Sequence, residues 1–555
     1  MKFDPVRFLS YEIRVPTFFD SDADGVGDLL GVKEKLPELV SLGINAIVLT
    51  SVFETSNVNS FYEVTDFCRI NPQIGELSDF SELLNDAREN GIAVYLSIPL
   101  FCTSAEHSWF EKRKNPKYAS YYVSAPGKGK DGSVAPNRSK NRLGGEAWEE
   151  KDSGVFYKNT YGASSLDLDL ENPELRNEML SIVSFWKELG VAGFVIESLP
   201  FTIEKNAVKS GKLLYKPSPD LFAVGKDRFA LLSEIRSRFG EDFHLLLRNL
   251  PQDEVVSLYL TDGNLPTIDA LTFSNLDENT RLPSLKELNV RKWIKTYASI
   301  QSSPVARKTL LSVEDATHGR MLSSWKQCKD DQTYFYAAKS IALLLGASVG
   351  GVALYQGQEI AMSDVVFRDS VTPIEENRQP SEKKYIPLAS DPYQWDHKKH
   401  AGFTSALFPF APVRDNYVKI NRRMQEEDPE SVLNFYKKVL DFRKNSDVFS
   451  FGDFVFYPSA HPLIVCFTRS FQEKTLLVIA SLSPENVNFA IPRALIDRKG
   501  RFVFGNYSIV SRLLHETVGL RPFEARVYSI EPEVKLLSES NLGSRLEDQA
   551  DQKSE

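Results

Sequence analysis

The chain has 555 residues, of which 42% are hydrophobic and 25% charged, a composition typical of a large globular protein. Its net charge of −9 argues against non-specific nucleic-acid binding, which needs a basic surface. The best apolar stretch, Ile341–Leu354, is too short to span a bilayer, and the first residues lack the apolar core of a secretory signal. We therefore expect a cytoplasmic protein with no transmembrane segment and with reduced cysteines; only a missing upstream segment would place it outside the cell.

Eight short apolar runs alternate with helical patterns, as expected for a parallel sheet covered by helices. One helix is marked clearly, because Asn172 and Pro173 form an N-cap and first turn and Gly190 ends the segment. Eight strand–helix alternations predict an α/β fold, a (β/α)8 TIM barrel, with its site at the C-terminal ends of the strands. The predicted strands are Phe8–Ile13, Ala46–Thr50, Ala93–Ile98, Ala192–Glu197, His244–Arg248, Asp269–Phe273, Thr309–Val313 and Val352–Tyr355.

The intervals between these elements predict the domain organisation. The long interval after the third strand predicts an inserted subdomain at 101–166, whose basic residues belong either to a solvated loop or to a binding patch. Short strands and turns near the end predict a C-terminal β-sandwich at 451–532. The barrel then comprises 1–100 and 167–450, and the polar tail at 533–555 is expected to be disordered.

Several segments carry a family resemblance. Tyr11–Val32 and Thr103–Phe110 resemble the opening strand, calcium loop and insert of α-amylase superfamily glycoside hydrolases, in the oligo-1,6-glucosidase and α-glucosidase branch. Ala353–Met362, Asp391–Ser405 and Asp428–Lys444 resemble late-barrel segments of the same branch. The resemblance implies a catalytic barrel, an insert after the third strand and a C-terminal β-domain, which agrees with the pattern-based prediction.

The resemblance also identifies altered catalytic positions. Retaining glycoside hydrolysis uses two carboxyl groups roughly 5 Å apart, one as nucleophile and one as acid/base. Glu197 occupies the nucleophile position with a side chain one methylene longer than aspartate, and Val195 replaces the family's arginine. Asn249 occupies the acid position, where an amide cannot donate a catalytic proton. Asp315 matches the position of the transition-state stabiliser.

Two family histidines are also replaced, by Cys102 and Glu314. In the motif that holds the terminal glucose, Tyr62 is retained and Glu63 follows it. Tyr62, Glu63 and Asp315 are thus the candidate sugar-binding residues. The alternative is that they only fill polar space in the barrel mouth.

A candidate metal loop lies near the N-terminus. Asp20, Asp22, Asp24 and Asp28 recur at even spacing, and Val26 can offer a carbonyl. Clustered hard oxygen atoms suit Ca²⁺ or Mg²⁺, and the resemblance implies structural Ca²⁺ at this loop. The alternative is a loop held by side-chain hydrogen bonds alone.

The altered positions predict a catalytically inactive α-glucosidase-like protein with a binding or scaffold role toward an unknown protein partner. It is similar in kind to the ectodomains of amino-acid transporter heavy chains, but it lacks their membrane helix. The alternatives are a residual α-glucosidase or transglycosylase acting on α-glucosides, and a non-catalytic sugar-binding protein.

Overall fold

The computed structural model describes most of the chain. The described residues are 3–56, 61–141, 145–162, 164–196, 221–248, 268–273, 288–316, 319–325, 328, 330–364, 390–496, 498–508 and 513–531, with only the backbone for 221–229. Glu197, Asn249 and the tail predicted to be disordered at 533–555 lie outside them. Within the described ranges, no helix is long and apolar enough to cross a membrane.

Eight parallel strands close into a barrel, which confirms the predicted (β/α)8 TIM barrel. Each strand lies within two residues of its predicted bounds, because continuous apolar runs mark strands that are buried on both faces. Around the barrel the order is β1-β8-β7-β6-β5-β4-β3-β2. The strands are Leu9–Arg14 (β1), Ala46–Thr50 (β2), Ala93–Ile98 (β3), Gly193–Ile196 (β4), His244–Arg248 (β5), Ala270–Phe273 (β6), Thr309–Leu311 (β7) and Gly351–Tyr355 (β8).

Strand β1 lies opposite β5, since three strands separate them in either direction around the barrel. The interior is filled by an apolar cluster that includes Phe8, Tyr95, Val195 and Leu246. Side chains alternate between the two faces of a strand, so Arg248 shares the inward face with Leu246. Charged side chains therefore enter the interior near the C-terminal ends of the strands.

Helices cover the outside of the barrel. The predicted cap is confirmed: the Asn172 side chain accepts hydrogen bonds from the N–H groups of Glu174 and Leu175, and Gly190 ends the helix with φ 109°. The helices are Leu29–Glu34 (α1), Leu36–Ser41 (α2), Leu77–Glu89 (α3), Ser108–Glu111 (α4), Pro173–Leu189 (α5), Leu221–Phe239 (α6), Val290–Gln301 (α7), Asp331–Ala347 (α8), Arg422–Glu427 (α9), Val432–Lys444 (α10) and Asp447–Phe451 (α11).

Antiparallel strands lie outside the barrel. The earlier ones are Phe53–Thr55, Val64–Ile70, Cys102–Ser104, Ser124–Pro126, Trp148–Asp152, Val155–Lys158 and Ser165–Asp167. Those after the barrel are Asp453–Phe456 (β9), Ile464–Phe471 (β10), Lys474–Ser481 (β11), Val487–Ala490 (β12), Gly500–Gly505 (β13), Thr517–Leu520 (β14) and Ala525–Ile530 (β15). They form a five-stranded sheet, β9-β10-β11-β15-β13, and a two-stranded sheet, β12-β14. The predicted domain boundaries remain predictions.

Buried arginines join the end of α8 to the elements that follow the barrel. The last carbonyls of a helix have no partner within the helix, and here Arg469 on β10 donates to the Ala347 carbonyl at 2.6 Å. Arg443 on α10 is 2% exposed and donates to four carbonyls, those of Gly346, Ser348, Val6 and Gly350. These contacts fix α8, α10 and the C-terminal sheet to one another.

Candidate functional site

An ion pair crosses the interior of the barrel. Arg248, the last residue of β5, donates through Nη1 to Glu12 Oε1 at 3.0 Å and through Nη2 to Glu12 Oε2 at 2.8 Å. The two side chains are only 3% and 7% exposed. Because β1 and β5 face each other, this bidentate pair spans the barrel at the level where the strands end. A fork of this kind is the strongest geometry available to an arginine and a carboxylate.

The nucleophile and acid positions come immediately after β4 and β5 in the sequence. Val195, at the position of the family's arginine, is 2% exposed and packs in the interior cluster with Leu246. Glu197 and Asn249 themselves lie outside the described residues. What the structure adds is Arg248, whose guanidinium brings a positive charge into the interior from β5.

The stabiliser position lies beside the same ion pair. Asp315 is 1% exposed, and the next residue, Ala316, donates its N–H to Glu12 Oε1 at 3.4 Å. The loop that carries Asp315 is therefore tied to the centre of the barrel. This contact brings the predicted stabiliser to the C-terminal end of the barrel, as the resemblance implies.

Glu314, which replaces a family histidine, forms a second buried ion pair. Its carboxylate accepts from Arg320 Nη1 at 3.2 Å and from the Met321 N–H at 3.2 Å. Burial raises the pKa of Glu314 to about 7, although the charge of Arg320 opposes this shift. Arg320 also donates to the Gln356 carbonyl at 3.0 Å. The pair therefore joins the loop after β7 to the end of β8.

Tyr62, a candidate sugar-binding residue, contacts the segment that follows β3. The Tyr62 ring stacks on Tyr161 with centroids 4.2 Å apart, and its carbonyl accepts from the buried Cys102 thiol at 3.7 Å. Glu63 accepts a hydrogen bond from Ser56 at 3.4 Å. A buried cysteine commonly packs as a small apolar side chain. Tyr62 thus lies beside the altered histidine position.

The acidic loop brings three of its four carboxylates together. Oxygens of Asp20, Asp22 and Asp28 lie within 4.8 Å of one another, whereas Asp24 is outside this group and accepts from the Val26 N–H at 2.7 Å. Burial and neighbouring carboxylates raise the pKa of Asp22, and burial raises that of Asp28. Crowded, partly desolvated oxygen donors of this kind suit a hard cation such as Ca²⁺.

Hydrogen bonds within the loop also engage these carboxylates. Asp20 accepts from the N–H groups of Ala23 and Gly25, both at 2.8 Å. Asp28 accepts from the N–H groups of Ser21 at 2.7 Å and Gly31 at 2.6 Å. Both readings of the loop therefore keep structural support, and the calcium ligand set remains a prediction.

Neither ion pair was predicted from the sequence. Glu12 and Arg248 each interrupt an apolar run, and the two runs are the first and fifth strands of an eight-stranded barrel. Opposite charges on strands that face each other across the barrel could have predicted the Glu12–Arg248 pair. The family motif identifies Glu314 only as the replacement of a histidine, and nothing local in the sequence indicates that Arg320 is its partner.

The sequence profile for "Alpha amylase, catalytic domain" matches residues 13–452, from within β1 to the end of α11. The chain belongs to the α-amylase family. Its relatives in this family include the oligo-1,6-glucosidase of Parageobacillus thermoglucosidasius, 28% identical over 94% of this chain and 98% of that protein. Another is the trehalose-6-phosphate hydrolase of Escherichia coli (strain K12), 26% identical over 93% of this chain and 97% of that protein.

Solved structures of the α-amylase family give the same fold. The trehalose-6-phosphate hydrolase of Bacillus licheniformis superposes with a TM-score of 0.80 over 95% of this chain and 99% of that one, at 22% identity. At that identity the likeness concerns the fold alone. Together, the family profile and the relatives identify an α-glucosidase-like protein.

Proposed function

We propose that this chain binds α-glucosides at the mouth of its barrel and hydrolyses them at no more than a residual rate. The relatives that align over nearly its whole length are named for hydrolysing α-glucosides, which supports the choice of ligand class. The Glu12–Arg248 pair is the main observation against efficient hydrolysis, because it engages a carboxylate at the level where the strands end. Asn249 follows Arg248 directly and offers no acidic proton.

Two carboxylates near the strand ends, those of Glu12 and Glu314, form ion pairs with arginines. A replacement acid would have to hold a proton near neutral pH and release it to the glycosidic oxygen. Both carboxylate oxygens of Glu12 accept hydrogen bonds from the guanidinium of Arg248. Glu314 has a raised pKa, but its oxygens are engaged by Arg320 and by the Met321 N–H. Neither side chain is well placed to replace the missing acid.

The expected loss of rate can be estimated. A positioned general acid/base contributes about 10²–10⁴-fold, and a displacement of about 1 Å in the reacting group costs on the order of a hundredfold. Asn249 removes the first contribution, and the longer Glu197 side chain incurs the second. Turnover should therefore be at least about 10⁴-fold below that of an active oligo-1,6-glucosidase measured beside it.

The test combines binding and turnover. Isomaltose and maltose are titrated by calorimetry, and aryl α-glucoside hydrolysis is measured. The proteins are the wild type, Glu197→Gln, Tyr62→Ala and the control Tyr457→Ala, just after β9. We expect sugar binding in all but Tyr62→Ala, with residual turnover that Glu197→Gln abolishes. Wild-type turnover within about a hundredfold of the active relative would contradict the loss of hydrolysis. Absence of binding to either sugar would contradict the choice of ligand.

We also propose that the acidic loop holds a structural Ca²⁺ through Asp20, Asp22 and Asp28, with Asp24 and the Val26 carbonyl as further predicted ligands. The convergence of three carboxylates supports this proposal. A bound divalent ion would offset the repulsion among them. The predicted scaffold role toward a protein partner and the cytoplasmic location stay predictions.

A further inference from the structure

Two buried arginines bind the turn that joins α8 to β8. Arg469 on β10 is fully buried and Arg443 on α10 nearly so, and both donate to carbonyls of the turn Gly346–Gly350. No carboxylate in the described part of the chain forms an ion pair with either arginine. Buried charges are normally paired, because an unpaired ion loses its hydration without compensation. The turn therefore lies beside an excess of positive charge.

The opposing charges around the two arginines are weak. Asp447 and Asp453 are exposed, and Asp453, whose charge reaches Arg469, lies 3.2 Å from Arg307. The carbonyls at the end of a helix add only about half a negative charge. Burial lowers the pKa of Arg443 to about 10, and burial and the charge of Arg443 lower the pKa of Arg469 to about 9. Both side chains remain protonated at neutral pH, so their charge is only partly offset.

Two buried donors at this turn have no hydrogen-bond partner among the described residues. Arg469 donates through Nε to the Gly452 carbonyl at 3.2 Å and through Nη1 to the Ala347 carbonyl at 2.6 Å, but its Nη2 has no such partner. Gln301, the last residue of α7, is 2% exposed, and its Oε1 accepts from the Val349 N–H, which leaves its Nε2 without one. Both side chains are thus anchored on one turn. Buried donors are nearly always satisfied by protein, water or an ion.

We propose that Arg469 Nη2 and Gln301 Nε2 bind a chloride ion beside the Gly346–Gly350 turn. Both atoms donate and neither accepts, and a monovalent anion offsets the buried charge of Arg469. Water satisfies a donor but carries no charge, and its own hydrogens need acceptors. A phosphate or sulfate has several strong acceptor oxygens, more than two donors satisfy.

The proposed ion is structural. The turn precedes β8 and therefore lies at the N-terminal end of the barrel, the face that serves stability in this fold. The proposed sugar site lies at the opposite end of the strands. The chloride proposal is thus independent of sugar binding and of hydrolysis.

The test compares thermal unfolding of the full chain in sodium chloride and in sodium gluconate at constant ionic strength. The variants are Gln301→Glu and Arg469→Met. Gln301→Glu keeps an oxygen for the Val349 N–H and puts a carboxylate oxygen in place of Nε2, so the chain itself supplies the negative charge. The control Arg422→Met removes another buried arginine, one that is paired with carboxylates, and reports any general effect of exchanging the salts. Crystals grown in sodium bromide locate the ion by anomalous scattering.

The wild type should unfold about 3 °C higher when chloride exceeds its dissociation constant roughly a hundredfold, and the effect should saturate. Arg422→Met should be less stable but show the same response to chloride. Gln301→Glu should show none, and in gluconate it should match the wild type in chloride; it decides the test if Arg469→Met does not fold. Bromide should lie against Arg469 Nη2 and Gln301 Nε2.

Three results would overturn the proposal. The first is a wild type that unfolds at the same temperature in both salts. The second is a Gln301→Glu variant that responds to chloride as the wild type does. The third is a bromide map with no anomalous peak at the turn, which would assign the two donors to water.

Discussion

Removing one partner of the Glu12–Arg248 pair should destabilise the barrel strongly. The informative variants are Glu12→Met, Arg248→Leu and the double variant Glu12→Met/Arg248→Leu. Each single variant leaves one charged or polar group in a site where the native side chains are 3% and 7% exposed. The double variant replaces both charges by apolar groups and leaves no uncompensated ion.

The expected loss of folding stability follows from the geometry of the ion pair. Two unit charges about 4 Å apart attract by roughly 4 kcal/mol at an effective dielectric constant near 20, and dehydration of both ions offsets much of this attraction. Loss of one partner exposes the dehydration cost of the other, so each single variant should lose about 3–5 kcal/mol. The double variant should lie within about 2 kcal/mol of the wild type, because apolar replacement of a buried pair is often close to neutral.

The measurement is guanidinium unfolding followed by tryptophan fluorescence, with all four proteins compared under one condition. A chain of this size need not unfold in one step, so the comparison uses the transition that the single variants shift. Two results would refute the reasoning. One is single variants within about 1 kcal/mol of the wild type; the other is a double variant as unstable as the sum of the singles.

Three further predictions concern other parts of the chain. Burial alone would raise the pKa of Glu524, but hydrogen bonds from Arg521 and Arg526 lower it to about 2 from its ordinary 4.5. The wild type should therefore lose stability as pH falls from 4.5 toward 2, and chemical denaturation of Glu524→Gln should show a flatter dependence of stability on pH. Arg443→Met should lower the thermal unfolding temperature by removing about 3 kcal/mol or more of stability, because it deprives four buried carbonyls of their donor. A shift equal to that of Arg443→Lys would argue against this role. Calcium should raise the unfolding temperature of the chelator-treated wild type and not that of Asp22→Ala, and calorimetry without any binding heat would leave the hydrogen-bonded loop as the better account.

The sequence predicted the barrel because its signals are local. Apolar runs mark strands buried on both faces, and Asn172, Pro173 and Gly190 mark a helix through contacts within one turn. The errors in the predicted strand bounds are small and occur at the strand ends. For example, the run predicted as Thr309–Val313 forms a strand only to Leu311. The chain there leaves the sheet early as it turns toward the buried Glu314 and Arg320 pair.

The candidate site was predicted less completely, for a physical reason. The family motifs identify positions such as Asp315, but they do not give the partner of a substituted side chain. Glu12 and Arg248 are 236 positions apart, and only closure of the barrel brings them together. The metal loop was only partly predictable from the sequence. Its aspartates are close in sequence, but their side-chain directions decide which of them converge.

The closed strand order has a consequence for synthesis of the chain on the ribosome. Strand β1 pairs on one side with β2, but its other edge pairs with β8, beginning at Leu9 with Val352. At about 5–20 residues per second, roughly 20 to 70 seconds separate the emergence of the two strands. During this interval β1 has an unpaired edge open to other chains, and the Glu12 carboxylate awaits a partner on β5. Nascent chains stalled before β8 should therefore depend on chaperones far more than the finished protein.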